Sequence, residues 1–204
     1  VLPASSQYEK AETTFFSAGF PDNKFCIRPP ILAPLEGTLT EAEIHSRIIK
    51  ALGVINDDDL APLRAAAAAG LDEFAVAFAE ATKANPALAT VGAVTLYETL
   101  GKTLPAGMEG AAALWFSAQQ MAMRHPDEVR AAGHAGEGPA LGNALFEAMV
   151  SNPDGIVFTR HEHSQSFDLL RTPDQKINVA IPEMLDLIRE LPDAPVDHSS
   201  DEFP

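Results

Sequence analysis

The chain has a single cysteine, Cys26, among 204 residues. It cannot form an intrachain disulfide, so nothing marks an oxidising compartment. An iron–sulfur cluster held by thiolates, or a cysteine-rich structural zinc, needs several thiolates and is excluded within this stretch. Positive charge is scarce as well. Against 29 Asp and Glu stand 14 Lys and Arg, a formal net charge of −15. A surface of that sign repels a phosphate backbone, so no nucleic acid is expected as a partner. Long apolar runs are missing too. A membrane span needs roughly 18 or more consecutive apolar residues, and the stretch from Ala65 to Ala69 is short and flanked by Arg and Asp. No membrane insertion is expected. No basic stretch followed by an apolar one marks a secretory signal, and the expected location is cytoplasmic.

Catalytic motifs are also missing. There is no Gly-x-Ser-x-Gly elbow and no His-Glu-x-x-His helix. Arg160-His161-Glu162-His163 is the densest group of possible ligands. His161 and His163 would face one side of a strand, but the other histidines, His45, His125, His134 and His198, are scattered. A solvated polar loop is the simpler reading, and no metal ligand is assigned. Asp57 to Asp59 lack the glycine and the glutamate of a calcium loop, and a helix N-terminus accounts for them. The glycines between Gly133 and Gly142 have no P-loop lysine and read as a connection between helices. No catalytic residue is assigned either.

What is present is a helical pattern. Apolar residues make up 46% of the chain, enough for one sizeable core, or one core plus a smaller lobe. Residues 1–36 read as an extended segment wrapping over a surface. Turn signals stand at Pro21-Asp22-Asn23, and the exit, Arg28-Pro29-Pro30-Ile31-Leu32-Ala33-Pro34, is proline-rich. A helical domain is expected over 37–152. Its first helix opens on a capping box, Thr40 with Glu43, carries Ile44, Ile48 and Leu52 on its apolar face and stops at Gly53. Asn56 and three aspartates start the next. Its stripe is Leu60, Leu63, Ala67, Leu71, Phe74 and Phe78, and Asn85-Pro86 ends it. Further helices are expected near 87–100, 108–124, 126–133 and 138–151, with Pro126 and Pro139 at first positions. Residues 153–191 read as a small β element plus a helix. Strands near 156–159 and 176–180 would pair, and the helix from Pro182 carries Met184, Leu185, Ile188 and Leu191 on one face. Residues 192–204 read as a linker. The expected class is mainly α, a body of about five to six helices with a few short strands.

The two ends carry a resemblance. Val1-Leu2-Pro3-Ala4-Ser5-Ser6, then Glu9, then Thr13-Thr14, resembles a stretch of the molybdopterin-dependent oxidoreductases, the dimethyl sulfoxide reductase superfamily with its formate dehydrogenase-like members. There a strand of a Rossmann-like domain ends in Leu-Pro-Ala, followed by a polar turn, a glutamate and a threonine. Asn23, Arg28 and the helix ending Ala51-Leu52-Gly53 follow in similar order. Arg171-Thr172-Pro173-Asp174-Gln175-Lys176-Ile177 resembles the family's Thr-Pro-Ser-Gly-Lys-Ile-Glu segment. Gln175 stands where glycine is common, and Asn178 where glutamate is common, as in a divergent subgroup.

The resemblance implies an internal fragment of such an enzyme. The metal-ligand region would lie upstream of Val1, and a C-terminal β-barrel domain beyond the linker. The full-length parent would carry a bis-molybdopterin guanine dinucleotide with molybdenum or tungsten and perform two-electron redox or oxygen-atom transfer. This segment, catalytically silent alone, would have the remaining domains of the parent as its partners. Glu9 and Thr13 match family positions near the cofactor-bearing core, although Glu9 reads equally well as a turn carboxylate. The alternative is a standalone acidic helical binding or scaffold protein.

Overall fold

A computed structural model of the chain describes residues 3–16, 22–161, 172–174, 176 and 181–190. Contacts divide the chain into two units, Val1–His163 and Ser164–Pro204. The first unit is mainly helical and contains a small antiparallel sheet. The strands are β1 (Glu12–Phe16), β2 (Asp22–Arg28) and β3 (Ile156–Arg160), and the helices are α1 (Glu41–Ala51), α2 (Asp57–Ala69), α3 (Leu71–Ala84), α4 (Pro86–Thr90), α5 (Gly92–Glu98), α6 (Ala113–Arg124), α7 (Pro126–Ala131) and α8 (Pro139–Ser151). Two 3₁₀ turns, Leu100–Thr103 and Glu109–Ala112, join α5 to α6.

The sheet corrects the reading of the entry segment. Residues 1–36 do more than wrap a surface: Asp22 and Asn23, expected in a turn, begin β2, which is the central strand in the order β1-β2-β3. Phe25 and Ile27 of β2 are buried in the same core as the helices. The alternation Asn23, Phe25, Ile27 inward gives a half-buried strand its period of two. Strand β3 forms where expected but pairs with β2, 131 to 138 residues away in sequence by the register Phe25↔Ile156 to Asp22↔Arg160, a separation beyond any local signal. Its expected partner, 177–180, lies outside the described residues.

The long helix expected from Asn56 to Asn85 is two helices. Gly70 separates them with φ +153°, a conformation that side-chain-bearing residues rarely adopt. The corner lets α2 bury Leu60, Leu63 and Ala67 while α3 buries Phe74 and Phe78. Trp115 of α6 meets both phenylalanines edge-on, with ring centroids 5.2 Å away in each case. Burying each such ring is worth about 2–3 kcal/mol from area alone. Helices α6 and α8 approach so closely at Gly142 that a Cβ there would lie 2.5 Å from the Gln119 side chain.

Helix α1 starts at Thr40, whose hydroxyl accepts from the Glu43 amide at 3.2 Å. The capping box is only half made, because Glu43 turns its carboxylate to the Tyr97 hydroxyl and to Arg47. The apolar face expected for α1 is not its buried face. Ile48 and Leu52 are 44% and 69% exposed, whereas Ser46 is buried. The helix expected near 87–100 is two short ones, α4 and α5, and the remaining helices lie close to the expected positions, with Pro126 and Pro139 at first turns.

In the second unit, Thr172 Oγ1 donates to the Lys176 carbonyl and Asp174 accepts from the Lys176 amide, closing the Thr172–Asp174 bend. Gln175 and Ile177 lie outside the described residues. Helix α9 (Pro182–Arg189) begins at Pro182 as expected and exposes Met184, Leu185 and Ile188. Leu191 and the expected linker, 192–204, lie outside the described residues.

Candidate functional site

Of the residues that carry the resemblance, Pro3 to Ser6 and Glu9 lie in the first unit. Pro3 to Ser5 run beside Thr38 and Leu39 in a parallel bridge: Leu39 N–H donates to the Pro3 carbonyl at 3.1 Å and Ser5 N–H to the Leu39 carbonyl at 2.8 Å. Glu9 closes the following turn. One carboxylate oxygen accepts from Ser6 N–H at 2.7 Å, the other from Leu35 N–H at 3.0 Å. The Ser6 amide holds the Glu9 carboxyl below its ordinary value of 4.5, with the Leu35 amide adding to the effect. Ile31 and Leu32 amides both donate to the Tyr8 carbonyl, and Arg28 donates to the Gln7 carbonyl with its guanidinium over the Tyr8 ring. Glu9 is therefore a clamp between two loops. The clamped loop exposes Ile31, Leu32 and Leu35 by 57–68%.

Thr13 lies elsewhere, in a cleft of about 350 Å³. Consecutive residues Lys10, Ala11, Glu12 and Thr13 form one wall, so the wall is the edge of β1 and not a face of the sheet. The start of α1 and the turn leading into α6 form the other, with Glu41, Ala42, Gly107 and Glu109 among its residues. Lys10 lies 2.6 Å from Glu41 and 3.8 Å from Glu12. The hydrogen bond from Lys10 holds the Glu41 carboxyl low. Glu109 has no ion-pair partner among the described residues. Three carboxylates and one ammonium leave the rim acidic.

A second polar cluster joins α1, α2 and α5. Glu98 is buried. It accepts from Ser46 Oγ and, at 3.1 Å, from the Arg64 guanidinium, with Lys50 Nζ 3.7 Å away. Arg64 also reaches the Glu98 carbonyl at 2.9 Å and Asp57 at 2.9 Å. Beside it, burial and the Glu43 carboxylate push the Tyr97 hydroxyl far above its ordinary value of 10.0. Every charged group here has an opposite partner, which is how buried charge is tolerated. The arrangement fastens helices together. Sequence reading missed it because its signal is faint: one serine on the buried side of α1.

The other singled-out residues are accounted for structurally. Asn56 and Asp59 form a reciprocal capping box at 3.0 and 3.1 Å, and Asp57 pairs with Arg64 and Lys50. Cys26 contacts the Pro153 carbonyl at 3.7 Å. His161 shares a hydrogen bond with Asn23 at 3.0 Å, and His163 lies outside the described residues. Among the described residues no three His, Cys, Asp or Glu side chains are grouped to hold a metal ion. Among them, too, no helix is long and apolar enough to cross a membrane. Comparison with protein families, with curated proteins and with solved structures finds no match.

Proposed function

We propose that this chain is a structural part of a molybdopterin-dependent oxidoreductase, catalytically silent in isolation and cytoplasmic. The observation that carries the reading is the Glu9 clamp. The stretch that resembles the superfamily, from Pro3 through Glu9, spends its hydrogen bonds on fixing a proline-rich loop whose large apolar side chains point outward. A rigid loop presenting Ile31, Leu32 and Leu35 has its ordering entropy already removed, which favours docking on another protein body. In the parent that body would be the remaining domains. The bis-molybdopterin guanine dinucleotide, with molybdenum or tungsten, would supply the two-electron chemistry there, and the residues described here would pack against the domains that hold it.

The test is made on the native protein from its source, captured with an antibody to this segment: intact mass, with molybdenum, tungsten and iron content. A chain much larger than 21.7 kDa carrying molybdenum or tungsten is expected. A metal-free chain of about that size overturns the reading and leaves a standalone acidic helical binding protein. One feature favours that second reading: the open edge of β1 beside an acidic cleft.

A further inference from the structure

The open edge has a defined polarity. In an antiparallel strand each residue points its N–H and C=O to the same side, and the side alternates. Ala11, just before β1, donates its N–H to the Gly107 carbonyl at 3.3 Å, away from β2. Thr13, which lines the cleft, and Phe15 therefore point their backbone groups the same way, away from β2. By the same alternation Glu12, Thr14 and Phe16 turn theirs towards their register partners Arg28, Cys26 and Lys24. Among the described residues β1 pairs with β2 alone, and no strand covers its other side. Two consecutive outward residues thus present two N–H donors and two carbonyl acceptors in strand geometry.

Natural sheets usually block such an edge with a proline, a bulge or an unpaired charge. Strand β1, Glu-Thr-Thr-Phe-Phe, has no proline and pairs with β2 in unbroken register. The cation that lines the cleft, Lys10, is already engaged by Glu41. The opposite wall includes the small residues Ala42, Gly107, Gly110 and Ala111 beside larger ones such as Glu41, Glu109 and Leu114. The rim charges of Glu12, Glu41 and Glu109 exceed that of Lys10.

We propose that the outer edge of β1 is a strand-addition site that takes an extended segment of a partner protein carrying Lys or Arg side chains. The guest's backbone pairs with Thr13 and Phe15, which supplies affinity. Its cations lie against Glu12 and Glu109, which supplies orientation and selects against acidic segments. The inference stands independently of the redox reading, since it needs only the strand edge and the cleft.

The experiment uses the whole chain and a defined probe, the peptide Ac-Thr-Lys-Val-Lys-Val-Lys-Thr-NH2. Two controls are the same peptide with alternate backbone nitrogens methylated and one with glutamate in place of lysine. Amide NMR shifts give the site and the dissociation constant. Saturable binding below about 1 mM is expected, centred on the Thr13 and Phe15 amides, abolished by N-methylation and by glutamate. Thr13→Pro removes one outward donor and no β1–β2 bond, and an edge strand tolerates proline. It is expected to weaken binding about tenfold. Glu109→Lys, away from the strand, is expected to weaken it as well. Equal binding of the methylated peptide, shifts centred away from β1, or no saturation overturns the proposal. So does a chain that dimerises through this edge, shown by sedimentation and lost in Thr13→Pro, because the occupant would then be a second copy.

Discussion

Helices α3 and α1 are built on opposite plans. Helix α3 turns phenylalanines inward, where Phe74 and Phe78 pack edge-on to Trp115. Helix α1 turns a serine inward, and its seam with α2 and α5 is held by Ser46, Lys50, Arg64 and Glu98. One seam is held by area removed from water, the other by matched charges. The first is insensitive to salt and forgiving of register. The second demands each partner, because a buried charge left alone is costly.

Breaking the aromatic seam should cost most. Phe74→Ala is expected to destabilise the chain by about 3–5 kcal/mol, read from the urea midpoint, with the loss unchanged between low and high salt. Glu98→Ala is next, at about 2–3 kcal/mol, since Arg64 and Ser46 lose their acceptor. Here the loss should shrink with added salt, which screens the cations left behind. If both variants responded to salt alike, the contrast between the seams would fail. Gly70→Ala probes the corner joining α2 to α3. Forcing a Cβ into its φ of +153° is expected to cost about 1–2 kcal/mol, seen as a lower melting temperature.

The pH response sharpens the contrast further. The hydrogen bond from the Tyr97 hydroxyl, opposed by burial and aided by Arg47, holds the Glu43 carboxyl below its ordinary value of 4.5. A group whose folded value lies below its unfolded value stabilises the fold above the unfolded value. That contribution is lost as pH falls through the folded one. Acid titration below about pH 4.5 should therefore loosen the α1–α5 seam first, and Glu43→Gln should flatten that limb of the stability curve. Exchange of α1 amides, measured against α3 amides, reads it directly. The smallest effect belongs to the outer face of α1. Ile48→Lys should change stability by less than about 0.5 kcal/mol, whereas Ile48 on a buried apolar face would have cost several times more.

The same contrast explains what could be read in advance. The stripe Leu60, Leu63, Ala67, Phe74 and Phe78 was legible because an apolar face repeats at the helical period. The stripe on α1 misled for the same reason: Ile44, Ile48 and Leu52 repeat at that period, yet the buried face is the one that meets Glu98. Periodicity reports apolar residues, and it is blind to a helix docked through polar groups. The candidate site was legible as positions and not as surroundings. Thr13 and Glu9 were singled out, but one lines a cleft while the other clamps a loop, a difference that turns on which groups lie opposite them.

The sequence by itself determined the class, several helix starts and part of the core. These follow from local causes: Thr40 and Asn56 accept hydrogen bonds from the amides of the first turn, Pro126, Pro139 and Pro182 begin helices, and apolar side chains repeat at the helical period. Only the tertiary structure decided that Asp22 to Arg28 would be a central strand, that β3 would join it across the length of the helical body, and that, among the described residues, no strand would cover the outer edge of β1 beside an acidic cleft. Those outcomes depend on which distant surfaces meet. That is settled by the free energy of closing long loops against burying Phe25, Ile27 and Phe158 together.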